Sequence, residues 1–408
     1  MNQKFSNKIA IIISWPREID MYSKFLDLND NLAFDFIVND IKSLEKGRNQ
    51  SNKLIEELLI DKKIQYKLFT KIYRKVMYEK VISTGEICAM HVNFYSVTKH
   101  IYAITIGAIL EFTKISEIIS KFFGRPFTAG GIKSKIGIEW FPEKKIGNIS
   151  IKFPDGADIV LKNYPFSVYK NAFDVFLSYT DLEISLIQKK FKKKLCQKIE
   201  YLRYSESKKK NESKEDLIKE FKLDPKKQTI VWMPSHILHY LEEDRNIFDW
   251  CKEISFLSKF YNFIIRPHPK TLSRNNLILE YLKKYKLNID TDQNRSLKDM
   301  IESADLILAD YGGTAFDSIY LNKKVVLLDM FDDSEFVKNI KKNDRMDIKV
   351  RENLLCMKIG TTKSQILSNI KEALSGKYQE TINRNKLIYF GKAKGLNFPQ
   401  LINFLKKL

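Results

Sequence analysis

Residues 304–329, ADLILADYGGTAFDSIYLNKKVVLLD, decide the fold of the second half of the chain. The apolar run at 306–309 predicts a strand buried on both faces, and residues 324–328 predict a second one. Between them, Gly312 and Gly313 permit a sharp turn, and the residues after the turn favour a helix. The free N–H groups and positive dipole at the start of that helix suit a phosphate. The stretch therefore predicts either an anion site or an ordinary β-α-β turn whose glycines only permit packing.

Two further predicted strands end in polar or ionisable residues. The run at 229–233 is followed by Pro-Ser-His, and the run at 263–265 is followed by Arg-Pro-His-Pro-Lys. Ligands of open α/β sheets bind at the carboxyl ends of parallel strands, so these residues and the glycine turn are expected at one edge. The predicted site at this edge consists of Ser235, His236, Arg266, His268, Asp310, Gly312, Gly313 and Thr314.

The whole chain alternates predicted strands and helices, which is typical of doubly wound α/β domains. In the first half, strands are predicted at 8–14, 34–38, 65–69, 173–179 and 199–203. Residues 205–216, SESKKKNESKED, are polar and charged and indicate a boundary. We expect two Rossmann-like domains facing a cleft, the two-domain glycosyltransferase architecture called GT-B. The predicted units are residues 1–205, a charged linker at 206–216, a donor-binding domain at 217–380 and a helical segment at 381–408 that returns to the first domain or covers the surface.

The composition favours a globular protein with an anionic partner. The 408 residues include 70 Lys+Arg against 50 Asp+Glu, a formal net charge of +20, which favours phosphorylated substrates or an acidic membrane surface. No zinc-finger, RNP or helix-turn-helix signature accompanies the charge, so nucleic acid is not expected as a partner. The four cysteines are far apart, and neither a metal nor another cofactor is expected. We expect a cytoplasmic protein, either free or peripheral at the inner face of the cell membrane.

The second half resembles the CDP-glycerol glycerophosphotransferase family of teichoic-acid and capsule synthesis. Three elements carry the resemblance in order and spacing: a strand ending in Pro-Ser at 231–235, an Arg-Pro-His-Pro turn at 266–269, and an aspartate-led strand and turn at 304–317. The first half departs from the family, because the family's Trp-His-Gly-Thr loop has no counterpart here. The loop at 129–131, Ala-Gly-Gly, stands nearest to it by position.

The resemblance implies a cytidine-activated alditol phosphate, such as CDP-glycerol, as donor and a glycan, lipid-linked or polymer hydroxyl as acceptor. The hydroxyl would attack the distal phosphate and CMP would leave, so positioning and electrostatics dominate the chemistry. His268 would neutralise the leaving phosphate, and His236 is the favoured general base because of its strand-end position. Arg266, Ser235 and the Asp310 turn would bind the donor and its phosphates.

Several alternatives stay open at the level of sequence. A loop with Gly130, Gly131, Lys133 and Lys135 is a predicted acceptor loop, and it is equally consistent with a simple turn. A GT-B glycosyltransferase using a CMP-sugar such as sialic acid or Kdo, or another nucleotide sugar, would also carry a His-Pro pair in its second domain. A sugar-nucleotide epimerase would need acidic catalytic residues in the cleft. A non-catalytic basic protein that binds an anionic polymer or membrane would need neither the His-Pro pair nor the acidic catalytic residues.

Overall fold

The protein folds into two α/β domains, each built on an all-parallel sheet, which confirms the predicted fold class. The computed structural model describes residues 4–28, 33–40, 48–73, 75–85, 142–156, 173–204, 214–235, 245–268, 271–272, 277–292, 295–310, 312–329 and 351–408. Within these segments no helix is both long and apolar enough to cross a bilayer.

The first domain is a seven-stranded sheet with the strand order β3-β2-β1-β4-β5-β6-β7. Its strands are β1 (Lys4–Ile13), β2 (Phe34–Val38), β3 (Tyr66–Leu68), β4 (Val76–Ser83), β5 (Gly147–Lys152), β6 (Val175–Ser178) and β7 (Leu195–Lys198). Its described helices are α1 (Pro16–Met21), α2 (Ser23–Leu28), α3 (Arg48–Asp61), α4 (Phe69–Ile72), α5 (Pro142–Ile146) and α6 (Asp181–Lys190).

The second domain is a six-stranded sheet with the strand order β10-β9-β8-β11-β12-β13. Its strands are β8 (Thr229–Met233), β9 (Asn262–Ile265), β10 (Asn288–Ile289), β11 (Leu306–Ala309), β12 (Val325–Leu328) and β13 (Cys356–Met357). The described helices of this half are α7 (Lys214–Glu220), α8 (Arg245–Ile254), α9 (Leu277–Lys284), α10 (Leu297–Ser303), α11 (Gly313–Tyr320), α12 (Lys363–Ser375), α13 (Gln379–Phe390) and α14 (Phe398–Lys407).

Local sequence signals account for most of these elements. Every residue of β8, β11 and β12 is buried, as expected for parallel strands covered on both faces. Helix α6 begins where Thr180 accepts a hydrogen bond from the Glu183 backbone N–H at 3.1 Å. In α10 the Ser296 hydroxyl accepts from the Asp299 N–H at 3.4 Å. These side chains satisfy N–H groups that have no partner within the first turn of a helix.

The structure corrects the prediction of a strand at 199–203. The edge strand β7 ends at Lys198, and Ile199 makes a single parallel bridge to Leu396 near the other end of the chain. Leu202–Tyr204 is a short 3-10 helix. After β1 the chain forms two short helices, α1 and α2, which are separated at Tyr22. Two strands near the middle of the first sheet, β4 and β5, were not predicted from the sequence.

The two domains share a continuous buried core near the end of β7. The Tyr201 hydroxyl donates to the carboxylate of Asp317, on α11 of the second domain, at 2.7 Å. The C-terminal helix α14 packs on the first domain, where the Phe398 ring lies 5.0 Å from the Phe25 ring. Residues 205–213 lie outside the described residues, and α7 begins at Lys214, so the domain limits drawn from the sequence stay a prediction.

Candidate functional site

The carboxyl ends of β8 and β11 are joined by one carboxylate. Asp310, which is 3% exposed, accepts the backbone N–H of Ser235 with both side-chain oxygens, at 2.9 and 3.1 Å. The two strands are neighbours in the sheet, so this contact sets the spacing of the loops that follow them. The Asp310 side chain therefore holds the start of the loop that follows β8. Ser235 and Asp310 lie together, as predicted from their positions at strand ends.

The glycine turn forms the start of α11. Gly312 has φ of 99° and ψ of −157°, a conformation that a residue with a Cβ rarely adopts, whereas Gly313 already has helical geometry. A Cβ added at either position would meet no described atom within 4 Å. Packing against the described part of the protein therefore does not require either glycine. Thr314 follows in the first turn, and its carbonyl accepts the Ser318 hydroxyl at 2.8 Å.

The two glycines give a matched pair of variants. Gly312→Ala is expected to lower the free energy of unfolding by about 1–3 kcal/mol, because alanine strains the backbone at this φ. Gly313→Ala is expected to leave stability unchanged or slightly higher, since it adds a Cβ to a helical residue facing open space. If a ligand approaches this backbone closely, Gly313→Ala lowers its affinity without a loss of stability. Chemical denaturation and ligand titration of both variants measure the two effects separately, and an unchanged affinity in Gly313→Ala would argue for a simple turn.

Arg266 and His268 follow β9, the strand on the other side of β8. The Arg266 guanidinium donates to the Arg295 carbonyl at 2.7 Å and lies 3.4 Å from the Asp290 carboxylate. Burial lowers the pKa of Arg266, and the carboxylates of Asp290 and Asp20 oppose that shift. Asp20 belongs to α1 of the first domain, so the carboxyl edge of the second sheet faces the first domain here. Arg266 is held by internal partners.

His268 lies two residues further, at the start of the next turn. Its backbone carbonyl accepts the N–H groups of Thr271 and Leu272 at 2.9 and 3.2 Å. Its side chain is partly exposed. The strand order β9-β8-β11 therefore places His268, Ser235 and the Asp310 turn at three neighbouring strand ends. This arrangement can bring one cationic side chain and a helix N-terminus to the same anionic ligand.

A second set of polar residues follows the first-domain strands. Glu18 is fully buried and accepts the backbone N–H of Ser14 at 2.6 Å and the hydroxyl of Thr84 at 2.5 Å. Glu143 is 2% exposed and accepts the Ser83 hydroxyl. Burial raises the pKa of Glu143, although the hydrogen bond from Ser83 opposes this. Two carboxylates thus lie near the carboxyl ends of β1 and β4.

Three contacts of the site were not predicted. Arg351 donates to the Asp310 carbonyl at 2.6 Å and to the Leu328 carbonyl at 2.7 Å, and so ties together the ends of β11 and β12. Asp317 joins α11 to the first domain. Glu18 occupies the third position of a helix that opens with Trp-Pro, a spacing typical of a helix cap that could have identified it. Arg351 and Asp317 carry no comparable local signal.

Five of the predicted site residues lie outside the described residues, namely His236, Gly130, Gly131, Lys133 and Lys135. Their assignments stay predictions. Among the described residues, no three metal-ligating side chains of His, Cys, Asp or Glu come together.

Comparisons with known proteins find similarity in fold. A structure of the wall teichoic acid polymerase TagF soaked with CDPG superposes with a TM-score of 0.53 at 12% identity, covering 99% of this chain and 88% of that chain. A second TagF structure gives 0.52 at 12% identity, covering 98% and 87%. A UDP-N-acetylglucosamine 2-epimerase gives 0.50 at 10% identity, covering 97% and 100%. No protein-family model and no curated protein matches the sequence. The chain therefore has a fold of the GT-B kind, shared with enzymes of different chemistry.

Proposed function

We propose that the protein is a transferase that moves an alditol phosphate from a cytidine-activated donor to a hydroxyl of a cell-surface glycan or polymer, releasing CMP. The observation that carries the proposal is the Ser235–Asp310 contact beside the N-terminus of α11, with His268 just after the next strand. The similarity in fold to a teichoic acid polymerase solved after a CDPG soak supports a donor of this class.

On the donor side, the diphosphate would lie against the first turn of α11. The backbone N–H groups of Gly313 and Thr314 and the threonine hydroxyl can donate to phosphate oxygens there. His268, when protonated, supplies a positive charge for the leaving phosphate of CMP. Ser235 and Asp310 hold the loop ends in place, and Arg266 stiffens the end of β9 through Arg295 and Asp290.

In the reaction, the acceptor oxygen attacks the distal phosphorus, a new P–O bond forms, and the P–O bond to CMP breaks. The acceptor proton goes to a base, and the negative charge spread over the phosphoryl oxygens is stabilised by the helix N-terminus and His268. His236 stays the proposed base. The acceptor would enter from the first domain, past the loop that contains Gly130 and Lys133. A net charge of +20 supports a phosphate-rich acceptor and a place at the inner face of a membrane.

The donor class is tested by thermal shift with CMP, CDP, CDP-glycerol, CMP-sialic acid, UDP and UDP-N-acetylglucosamine. A ligand at about 100 times its Kd that binds only the folded state adds about 2.7 kcal/mol to stability. We expect stabilisation by the cytidine compounds, with CDP-glycerol ahead of the CMP-sugar. His268→Ala is expected to weaken CDP-glycerol binding about 10- to 100-fold, because a hydrogen bond to a charged group contributes about 1.5–3 kcal/mol.

His268→Gln is the matched control, since it keeps a neutral hydrogen-bond donor and removes the charge. Release of CMP from CDP-glycerol in the presence of a polyol-phosphate acceptor then tests transfer itself. Stabilisation by UDP compounds and not by CMP would contradict the cytidine donor.

The second candidate is a sugar-nucleotide epimerase. Two buried carboxylates, Glu18 and Glu143, favour it, because proton abstraction from carbon needs a carboxylate base, and burial raises the pKa of Glu143. Binding of UDP-N-acetylglucosamine together with loss of turnover in Glu143→Gln would support this candidate.

A further inference from the structure

A cavity lies beside the middle of β1 and β4 and the start of β2, away from the strand ends that form the candidate site. Its volume is about 210 Å³, and residues of β1, β2, β4 and helix α14 line it. Phe34 is the first residue of β2, so the cavity lies about 13 Å along the strand from the carboxyl end at Val38.

Lys80 is the most buried charge of this lining. Its side chain is 7% exposed, and the ion pair that it makes with Glu79 is 3.5 Å long with a carboxylate that is 51% exposed. A buried ammonium loses the hydration that stabilises it in water and needs compensation by a nearby negative charge. One half-exposed carboxylate at that distance compensates only in part, so the cavity favours a further anion.

Lys406 adds a second positive charge from a different element. It lies in the last turn of α14, it is exposed, and no described residue forms an ion pair with its ammonium. Lys8 also lines the cavity, and its ammonium lies 3.3 Å from Asp35. The Asp35 carboxylate is shared with Lys67 and with the Tyr78 hydroxyl at 2.9 Å. The lining thus carries three lysines against one glutamate.

Apolar side chains complete the wall of the cavity. Ile9 and Phe34 come from the sheet, Ala33 comes from the turn before β2, and Ile402 comes from α14 one turn before Lys406. The volume far exceeds the 10–15 Å³ that holds one water molecule and is below the 300 Å³ or so of a drug-sized site, so a small ligand fits. Such a ligand would place an anionic group at the lysines and a short hydrocarbon stem against the isoleucines.

We propose that this cavity binds a phosphate monoester, with the phosphate between Lys80 and Lys406. Two ammonium groups on separate elements suit a group that carries close to two negative charges at neutral pH. The same chemistry occurs in a small soluble phosphate ester and in the headgroup of a phosphatidic-acid membrane. The site is separate from the glycine turn, and it does not depend on the proposed transfer reaction.

A calorimetric titration of the full chain with methyl phosphate tests the site. We expect binding by the wild type and an affinity at least about 10-fold lower in Lys406→Met and in Lys80→Met, because each removes one of the two charges. Lys407→Met is the matched control, since it removes a neighbouring exposed charge that does not line the cavity. Sodium chloride at equal ionic strength corrects for screening. If Lys80→Met does not fold, Ile402→Trp fills the cavity instead and is expected to abolish binding.

Sedimentation with vesicles separates the two sources of the phosphate. Binding to phosphatidylcholine vesicles that contain phosphatidic acid, weakened in Lys406→Met and retained in Lys407→Met, supports the site with a lipid headgroup as ligand. Binding of methyl phosphate without vesicle binding supports the site with a soluble ester. Equal losses in Lys406→Met and Lys407→Met, or no binding of either probe by the wild type, would overturn the proposal.

Discussion

Replacing Asp317 with alanine is expected to lower the free energy of unfolding by about 3–5 kcal/mol, because it removes a hydrogen bond to a buried carboxylate and leaves a buried hydroxyl without an acceptor. Asp317 is 3% exposed. It accepts the Tyr201 hydroxyl at 2.7 Å, and the Tyr204 hydroxyl lies close to it. Alanine would leave the buried Tyr201 hydroxyl without its acceptor, and it would remove a negative charge close to Arg203, whose side chain is 10% exposed.

The measurement is urea denaturation followed by tryptophan fluorescence, with two control variants. Tyr201→Phe removes one hydrogen bond to a carboxylate and keeps the ring, so we expect it to lower the free energy of unfolding by about 1.5–3 kcal/mol. Asp317→Asn keeps an acceptor and removes the charge, and an intermediate loss is expected. An Asp317→Ala variant within 0.5 kcal/mol or so of the wild type would contradict the view that this carboxylate holds the domains together.

The same carboxylate links domain contact to the candidate site. Asp317 lies one turn after Gly313, on the helix whose N-terminus is proposed to hold the donor phosphates. On the other side, the Tyr201 ring is stacked on Tyr179 at 3.9 Å and meets Tyr320 at 5.2 Å. A shift of this aromatic cluster would therefore move α11. We infer that Asp317→Asn lowers nucleotide affinity as well as stability. Gly376→Ala, at the end of α12, is expected to lower stability without a change in nucleotide affinity.

Short apolar strands were predictable from the sequence because they are buried on both faces. The strands at 34–38, 229–233 and 306–309 have the predicted bounds. Strands β4 and β5 were not predicted. Glu79 and Lys80 interrupt the apolar run of β4, and β5 is short and has alternating polar residues. Lys80 is buried only because the sheet and α14 surround it. Periodicity describes the chain locally and does not report such long-range contacts.

In the candidate site, the neighbouring positions of Ser235 and Asp310 were predictable and the contacts of Arg351 were not. The rule that ligand sites form at strand ends placed Ser235 and Asp310 together, and the structure joins them directly. Arg351 was not predictable, because it lies 41 residues after Asp310 and contacts two backbone carbonyls that any sequence would provide. The prediction of a strand at 199–203 was also wrong because of a long-range contact. Ile199 pairs with a segment almost 200 residues away.

Gly395 makes that distant pairing possible. A Cβ at this position would lie 2.2 Å from the carbonyl carbon of Ile199, 2.5 Å from its oxygen and 2.7 Å from the Glu200 nitrogen. All three are backbone atoms, so no side chain can rotate away. Next to it, the Leu396 N–H donates to the Lys198 carbonyl at 3.0 Å, and the Leu396 carbonyl accepts the Glu200 N–H at 2.9 Å. These two bonds attach the C-terminal segment to the first domain.

Gly395→Ala is therefore expected to lower the free energy of unfolding by about 3 kcal/mol, the upper end for overpacked positions, because the backbone of one segment must move away. Gly376→Ala is the matched control. Its φ of 87° strains an alanine by about 1–2 kcal/mol, but the added Cβ meets no described atom within 4 Å. Denaturation of both variants separates the clash from backbone strain.

Limited proteolysis of the same two proteins tests where the damage occurs. In Gly395→Ala, cleavage is expected to increase between α13 and α14. Two contacts hold α14 on the first domain, namely the pairing of Leu396 with Lys198 and Glu200 and the contact of Phe398 with Phe25. In Gly376→Ala, that region should stay protected. Equal stability and equal cleavage in the two variants would mean that the C-terminal segment can leave the first domain at little cost, and that the first domain does not need α14 to complete its core.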